Sequence, residues 1–170
     1  AMQDAVPVGV GAMAVVMGLD DDVVTDTCIS VSTVESFVGG VNFNAPGQVV
    51  IAGHSAAVDA AVAALKDAGA RRAMPLPVSA PFHTPLMQPA AEVMQQAFED
   101  VSWSKPQFPV VSNVDGSLQS NADSIRDSLV KQISAPVLWT TCMATLREAG
   151  CTHFVECGPG NVLSGLSKRI

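Results

Sequence analysis

The sequence predicts an α/β fold in two parts, and three observations carry that prediction. Residues 10–78 order themselves as strand, helix, strand, strand, helix, strand. Beyond them, amphipathic helices alternate with short apolar runs, the pattern of helices laid on a sheet with parallel strands. The composition, 48% hydrophobic against 15% charged, supplies a core and leaves nothing that reads as low-complexity or disordered.

The first part is legible element by element. Gly11 to Met17 is a β-branched, apolar strand closed by Gly18. Leu19 to Ser32 opens on an acidic cluster, favourable at a helix N-terminus, and holds a short helix. Phe37 to Asn44 and Gln48 to Gly53 are strands joined by the turn Ala45-Pro46-Gly47. Ser55 is placed to cap a helix reaching Ala68, with Val58, Ala61, Val62 and Leu65 on one stripe. Gly69 stops it, and Arg72 to Val78 is the last strand. This βαββαβ order is that of a ferredoxin-like, or split-βαβ, unit.

In the second part, Pro77-Val78-Ser79-Ala80-Pro81-Phe82-His83-Thr84-Pro85-Leu86-Met87 is a Pro-bracketed turn between a strand end and a helix start. Thr84 is expected to cap that helix, with Pro85 at its first position. Leu86 to Val101 is amphipathic, with Met87, Ala91, Met94 and Phe98 on the apolar face. Phe108 to Asn113 reads as a strand before the turn Val114-Asp115-Gly116, Asn121 to Ile133 as a helix, and Leu138 to Ala149 as another, ended by Gly150. Thr152 to Cys157 reads as a buried strand, followed by Gly158-Pro159-Gly160 and a last helix from Asn161. Two strands are too few for a covered parallel sheet, and both chain ends read as cuts, so most of that sheet is expected in residues outside this chain.

Charge narrows the function classes. The formal net charge is −7. It lies wholly in residues 1–65, where Asp4, Asp20, Asp21, Asp22, Asp26, Glu35 and Asp59 meet no base. An acidic chain without a basic tract excludes nucleic acid as the expected partner. An acidic protein partner would dock on the later part, where Arg71, Arg72, Lys131, Arg147, Lys168 and Arg169 lie. No apolar run approaches the ~18–20 residues of a membrane span and no leader opens the chain, so no membrane role and a cytoplasmic location are expected. Cys28, Cys142, Cys151 and Cys157 lack the spacing of a disulfide framework. Cys151, His153 and Cys157 suggest zinc only superficially, because a strand through them would point alternate side chains apart.

Two places can carry chemistry. His83, held by rigid flanks with its ring free to face a cleft, suits a general base. Such a base needs a nucleophile to deprotonate and an acceptor on its other ring nitrogen. No Asp or Glu is near it in sequence, so a backbone carbonyl from elsewhere is one acceptor open to it. Gly53-His54-Ser55-Ala56-Ala57 lies between strand and helix like a nucleophile elbow, but lacks the second glycine of Gly-x-Ser-x-Gly. Ser55 as a helix cap and His54 as a solvated turn residue is the plainer alternative.

Taken together, several segments resemble the bacterial malonyl-CoA:acyl carrier protein transacylases over essentially the whole chain. They are Met2-Gln3 with Ala5-Val6-Pro7, Gly11-Ala12-Met13-Ala14, Gly18-Leu19-Asp20 and the run Val41-Asn42-Phe43-Asn44-Ala45-Pro46-Gly47-Gln48-Val49-Val50-Ile51-Ala52-Gly53. Leu76 through His83, Lys131-Gln132 ahead of Pro136-Val137-Leu138-Trp139, and Gly158-Pro159-Gly160-Asn161-Val162-Leu163-Ser164-Gly165-Leu166 complete the set. The resemblance implies an α/β-hydrolase-like domain, here residues 1–9 and 79–170, with a ferredoxin-like subdomain inserted at 10–78.

It also implies a serine that takes malonyl from coenzyme A as an ester and passes it to the phosphopantetheine thiol of acyl carrier protein, in fatty acid biosynthesis. His83 matches the family's catalytic histidine, and Gln132 the glutamine whose main-chain carbonyl orients it. Phe82 matches a position linked, in related polyketide acyltransferases, to malonyl over methylmalonyl. Asn42 and Asn44 are carried as substrate-side residues. The family's serine elbow, carboxylate-binding arginine and oxyanion-hole glutamine have no counterpart here, so the expected partner is an N-terminal half of the same enzyme, and the chain alone is expected to be inactive. Ser55 falls in the inserted subdomain and is not the expected nucleophile. No metal or redox cofactor is implied; the coenzyme A thioester is a substrate. The rival expectations are an acyltransferase domain of a polyketide synthase and a non-catalytic ferredoxin-like binding module.

Overall fold

A computed structural model of the chain describes residues 1–78 and 80–170. Ser79, part of the motif around His83 and the expected start of the second part, lies outside the described residues.

The first part folds as its hydrophobic periods dictate. Strand β1 (Gly11–Met17) is central, with β3 (Gln48–His54) on one side and β4 (Arg72–Pro75) on the other. Strand β2 (Val38–Ala45) pairs outside β3, giving the all-antiparallel order β2-β3-β1-β4. Because strand side chains alternate between faces, one face presents Ala14, Val16, Val49 and Ile51. Helices α1 (Asp21–Val31) and α2 (Ser55–Asp67) close on it with Val24, Cys28, Val58, Ala61 and Leu65. Burial pushes the Cys28 thiol up to about 11. The other face presents Met13, Val41, Val50 and Ala52, with Leu76 and Phe82 packed against them.

Strand β4 ends at Pro75, short of the expected Val78. Pro75 and Pro77 lack the N–H a ladder needs, and the pairing fades into Leu76 N–H to Met13 O at 2.9 Å and a tight turn from Val78 N–H to Leu76 O.

The second part is helical. A 3-10 turn at Pro85–Met87 leads into α3 (Gln88–Glu99), which packs beside α4 (Ala122–Ser134). Asn121 caps α4, its Oδ1 accepting the Asp123 N–H at 2.7 Å and the Ser124 N–H at 3.4 Å. Val6, Ala80, Met87, Ala90, Ala91 and Ile133 form the core between them. Phe82 also packs against this core, so its ring joins the two parts.

Three expectations for the second part are corrected. The strand expected over residues 108–113 is only β5 (Val110–Val111), because Pro109 cannot donate to a ladder. It pairs antiparallel with β6 (Leu118–Gln119) across a turn made by Gly116 at φ 70. A Cβ on Gly116 would sit 2.5 Å from Thr141 Cγ2, on helix α5 (Trp139–Glu148), so the position needs glycine twice over. Second, residues 152–157 are not a buried strand: among the described residues nothing pairs with them, and Val155 is 85% exposed. An apolar run becomes a buried strand only where neighbouring strands satisfy its backbone groups. Third, the parallel pairing expected here is limited, among the described residues, to one bridge, Asn42 with Val137.

Cys151 and Cys157 are accordingly exposed. Strand alternation is no objection to zinc there, although among the described residues no three His, Cys, Asp or Glu side chains cluster closely enough to hold a metal. The last helix, α6 (Val162–Ser167), is tied by the Glu156 carboxylate. It accepts N–H bonds from Ser164 at 2.9 Å and Leu163 at 3.1 Å, and these hold it below the usual carboxylate range. Among the described residues, no helix is long and apolar enough to cross a membrane.

Candidate active site

His83 sits in a loop that is determined from several directions. It is the only non-glycine among the described residues with positive φ, at 62°. That region is sparsely allowed for residues with a Cβ, though histidine tolerates it better than most. Such a conformation persists where the surroundings over-determine it. Pro81 is pressed against β1 where residue 11 has no side chain: a Cβ there would lie 2.2 Å from Pro81 Cδ. Thr84, fully buried, donates its hydroxyl to the Pro81 carbonyl at 2.7 Å. Pro85 then opens the 3-10 turn, and Met87 N–H reaches Thr84 O at 2.9 Å. Thr84 therefore occupies the expected cap position, but its hydroxyl locks the loop behind it instead of capping the helix ahead.

The acceptor that His83 requires is present. Its Nδ1 lies 2.7 Å from the main-chain oxygen of Gln132. A carbonyl only accepts, so the bond places the proton on Nδ1 and leaves Nε2 with a free lone pair. The Gln132 side chain turns elsewhere, its Oε1 accepting from Asn113 Nδ2 at 3.4 Å. His83, Asn113 and Gln132 border a cavity of about 430 Å³ whose remaining wall is apolar, from Met2, Met94, Phe98, Leu129, Ile133 and Val137.

The other expected site residues are not gathered there. Phe82 faces a separate cleft with Gln3, Leu76, Pro77 and Val78. Asn42 and Asn44 lie on β2, in a stretch where the register with β3 shifts between Phe43 and Ala45. That stretch meets the segment leaving α4, with Phe43 N–H to Val137 O at 3.0 Å and Val137 N–H to Val41 O at 2.8 Å. The sequence points to Thr84 only as a helix cap and to Asn113 only as a strand end, neither as a site residue. A threonine between two prolines signals the first, while nothing local signals the second.

The elbow-like segment resolves differently from either sequence alternative. Ser55 is the first residue of α2 and does not cap it; its hydroxyl donates to Gly9 O at 2.9 Å. His54 is not a free turn residue, since its Nδ1 accepts the Phe37 N–H at 2.9 Å. Neither bond involves His83. Ser55→Ala is expected to cost about 0.5–1.5 kcal/mol, the usual worth of one hydrogen bond. A chemical denaturation series checks this, and a variant as stable as the parent would mean that the bond to Gly9 contributes nothing.

The acyl transferase domain family matches residues 2–168. The chain belongs to that family. It is 50% identical over 169 residues to the malonyl CoA-acyl carrier protein transacylase of Escherichia coli K12, covering 99% of this chain and 54% of the relative. The Staphylococcus aureus COL protein of the same name is 42% identical over 99% of this chain and 55% of its own length. Among solved structures of similar acyl transferases, the acyl-carrier-protein S-malonyltransferase of Burkholderia pseudomallei 1710b superposes with a TM-score of 0.94 at 48% identity. That match spans 99% of this chain and 54% of the other. A malonyl-transacylase solved in complex with a type II PKS acyl-carrier protein gives the same TM-score, identity and shares. The chain thus spans about half the length of the relatives it matches.

Proposed function

We propose that this chain is the histidine-bearing portion of a malonyl-CoA:acyl carrier protein transacylase, acting in fatty acid biosynthesis. The observation that carries the proposal is the 2.7 Å bond from His83 Nδ1 to the Gln132 carbonyl, which prepares Nε2 as a general base. Half-identity to the Escherichia coli transacylase supports the same reaction.

In this account a serine from the other portion of the enzyme attacks the malonyl thioester carbonyl while His83 Nε2 takes its proton. The tetrahedral intermediate collapses, and the imidazolium returns that proton to the departing coenzyme A thiolate. The phosphopantetheine thiol of acyl carrier protein then gives its proton to His83 and attacks the serine ester; collapse breaks the ester bond, the imidazolium returns the proton to the serine oxygen, and the carrier leaves as the malonyl thioester. Gln132 O lies in the last turn of α4, where the helix end favours the positive charge that forms on His83 during each transfer. No metal or redox cofactor takes part, and the coenzyme A thioester is a substrate. Phe82 is proposed to narrow, by the volume of its ring, the cleft it lines with Gln3 and Leu76 against branched acyl groups, with Asn42 and Asn44 on the substrate side.

The architecture proposed to go with this is an α/β-hydrolase-like domain with residues 10–78 as its inserted ferredoxin-like subdomain. The strand order β2-β3-β1-β4 supports the latter. Residues 1–9 and 79–170 would be shared with the other portion. The exposed run at Phe154 and Val155, beside a cleft lined by Trp139, Met143 and Leu163, is where neighbouring strands from that portion would fit. The enzyme is proposed to be cytoplasmic.

The test is to incubate the full-length protein with malonyl-CoA and then with holo acyl carrier protein. Intact mass should show malonyl first on the enzyme and then on the carrier. A carrier charged without an enzyme adduct, or no charging at all, would overturn the proposal.

A further inference from the structure

We infer that Pro136 is a positioning residue, one that keeps the Gln132 carbonyl free for His83; the inference rests on the transacylase reading above. In an α-helix the carbonyl of residue i accepts the N–H of residue i+4. For Gln132 that donor would belong to residue 136, and residue 136 is a proline with no N–H. Proline also drives the residue before it out of the helical region. Ala135 is accordingly extended, at φ −120 and ψ 154, and α4 ends at Ser134. The carbonyl that continued helix would have consumed is the one His83 Nδ1 meets at 2.7 Å.

The outgoing chain is then fastened so that this geometry holds. Val137 exchanges main-chain bonds with β2, from its N–H to Val41 O and from Phe43 N–H to its own O. Leu138 N–H reaches Asn113 O at 2.8 Å. A helix-stop alone would explain the extended Ala135. It would not require that the carbonyl four residues back from the proline be the one a histidine takes.

Pro136→Ala returns a donor that competes with Nδ1–H for Gln132 O and relaxes the restriction on Ala135. In the full-length enzyme, single-turnover malonylation should fall roughly three- to tenfold, about what a competing hydrogen bond of ordinary strength is worth. The KM for malonyl-CoA should hold, because no substrate contact changes. Nitrogen-15 NMR should show part of the His83 population moved to the Nε2–H tautomer. Ala135→Gly loosens the same joint without adding a donor, and should stay within about twofold of the parent rate, the scatter expected when no bond is gained or lost.

Equal losses in the two variants, or a parental rate and tautomer in Pro136→Ala, would overturn the inference. So would a Pro136→Ala protein that fails to fold, since that would assign the proline to stability. His83→Ala runs in the same assay. If it transfers normally, the general-base reading is what fails, and the tautomer populations still decide whether Pro136 positions the ring.

Discussion

On the proposed reaction, His83→Ala is expected to slow malonyl transfer by about two to four orders of magnitude in the full-length enzyme, the usual size of a general-base contribution. The serine would have to lose its proton to water, and coenzyme A would leave without an acid to protonate it. Gln132→Ala should lose far less. The atom that meets His83 is main chain and survives truncation, whereas the side chain is engaged with Asn113 at 3.4 Å. Single-turnover malonylation of both variants reads this directly. A Gln132→Ala enzyme as slow as His83→Ala would mean that the side chain, not the carbonyl, sets the histidine.

The largest stability effect is expected at the centre of the small sheet. Ile51 is fully buried on β3, paired with Ala14 of β1 on one side and Gly40 of β2 on the other. Its side chain lies among Val24, Cys28, Val58 and Leu65 beneath both helices. Ile51→Ala removes three carbons from a site enclosed on every side, and should cost about 2–5 kcal/mol. Urea unfolding should show the midpoint falling with an unchanged slope. On the proposed reaction, full-length protein that remains folded should transfer malonyl at the parental rate, because Ile51 belongs to a core separate from that around Met87 and Ile133. A cost under 1 kcal/mol, below the usual range for such truncations, would mean that the sheet is not closed as described.

The small sheet was legible because its signals are local. The β-branched apolar run Gly11–Met17 closed by Gly18, the Pro46-Gly47 turn and the apolar stripe of α2 each mark one element without help from the rest. Residues 152–157 show the converse. Their apolar pattern is that of a buried strand, but whether such a run pairs depends on neighbours, and among the described residues it has none. Ser55 was misjudged for a related reason. A serine between strand and helix satisfies the rule for a cap, yet its hydroxyl is claimed by Gly9, a contact across 46 positions that no local rule contains.

At the site, His83 was legible as a residue but not as a conformation. The flanking prolines marked a rigid turn, while the left-handed φ follows from Pro81 seating on Gly11 and from the buried Thr84 hydroxyl. A backbone carbonyl was one acceptor left open by the absence of a carboxylate near it in sequence. Its assignment to Gln132 came only through the family resemblance. A physical clue stood in the sequence all the same: Pro136, four residues on, strips that one carbonyl of its helical donor. The packing of Phe82 was not legible, since its ring joins two cores and lines a cleft with Gln3 and Leu76, contacts that no local rule contains.

The central claim is that a neutral main-chain carbonyl holds His83 with its proton on Nδ1 and its lone pair on Nε2. Nitrogen-15 NMR of histidine-labelled full-length protein, at a pH where the imidazole is neutral, tests it most directly. The account predicts a protonated, pyrrole-like Nδ1 and an unprotonated, pyridine-like Nε2 for His83, unchanged in Gln132→Ala. A dominant Nε2–H tautomer would contradict it, because that ring could neither donate to Gln132 O nor accept the serine proton at Nε2.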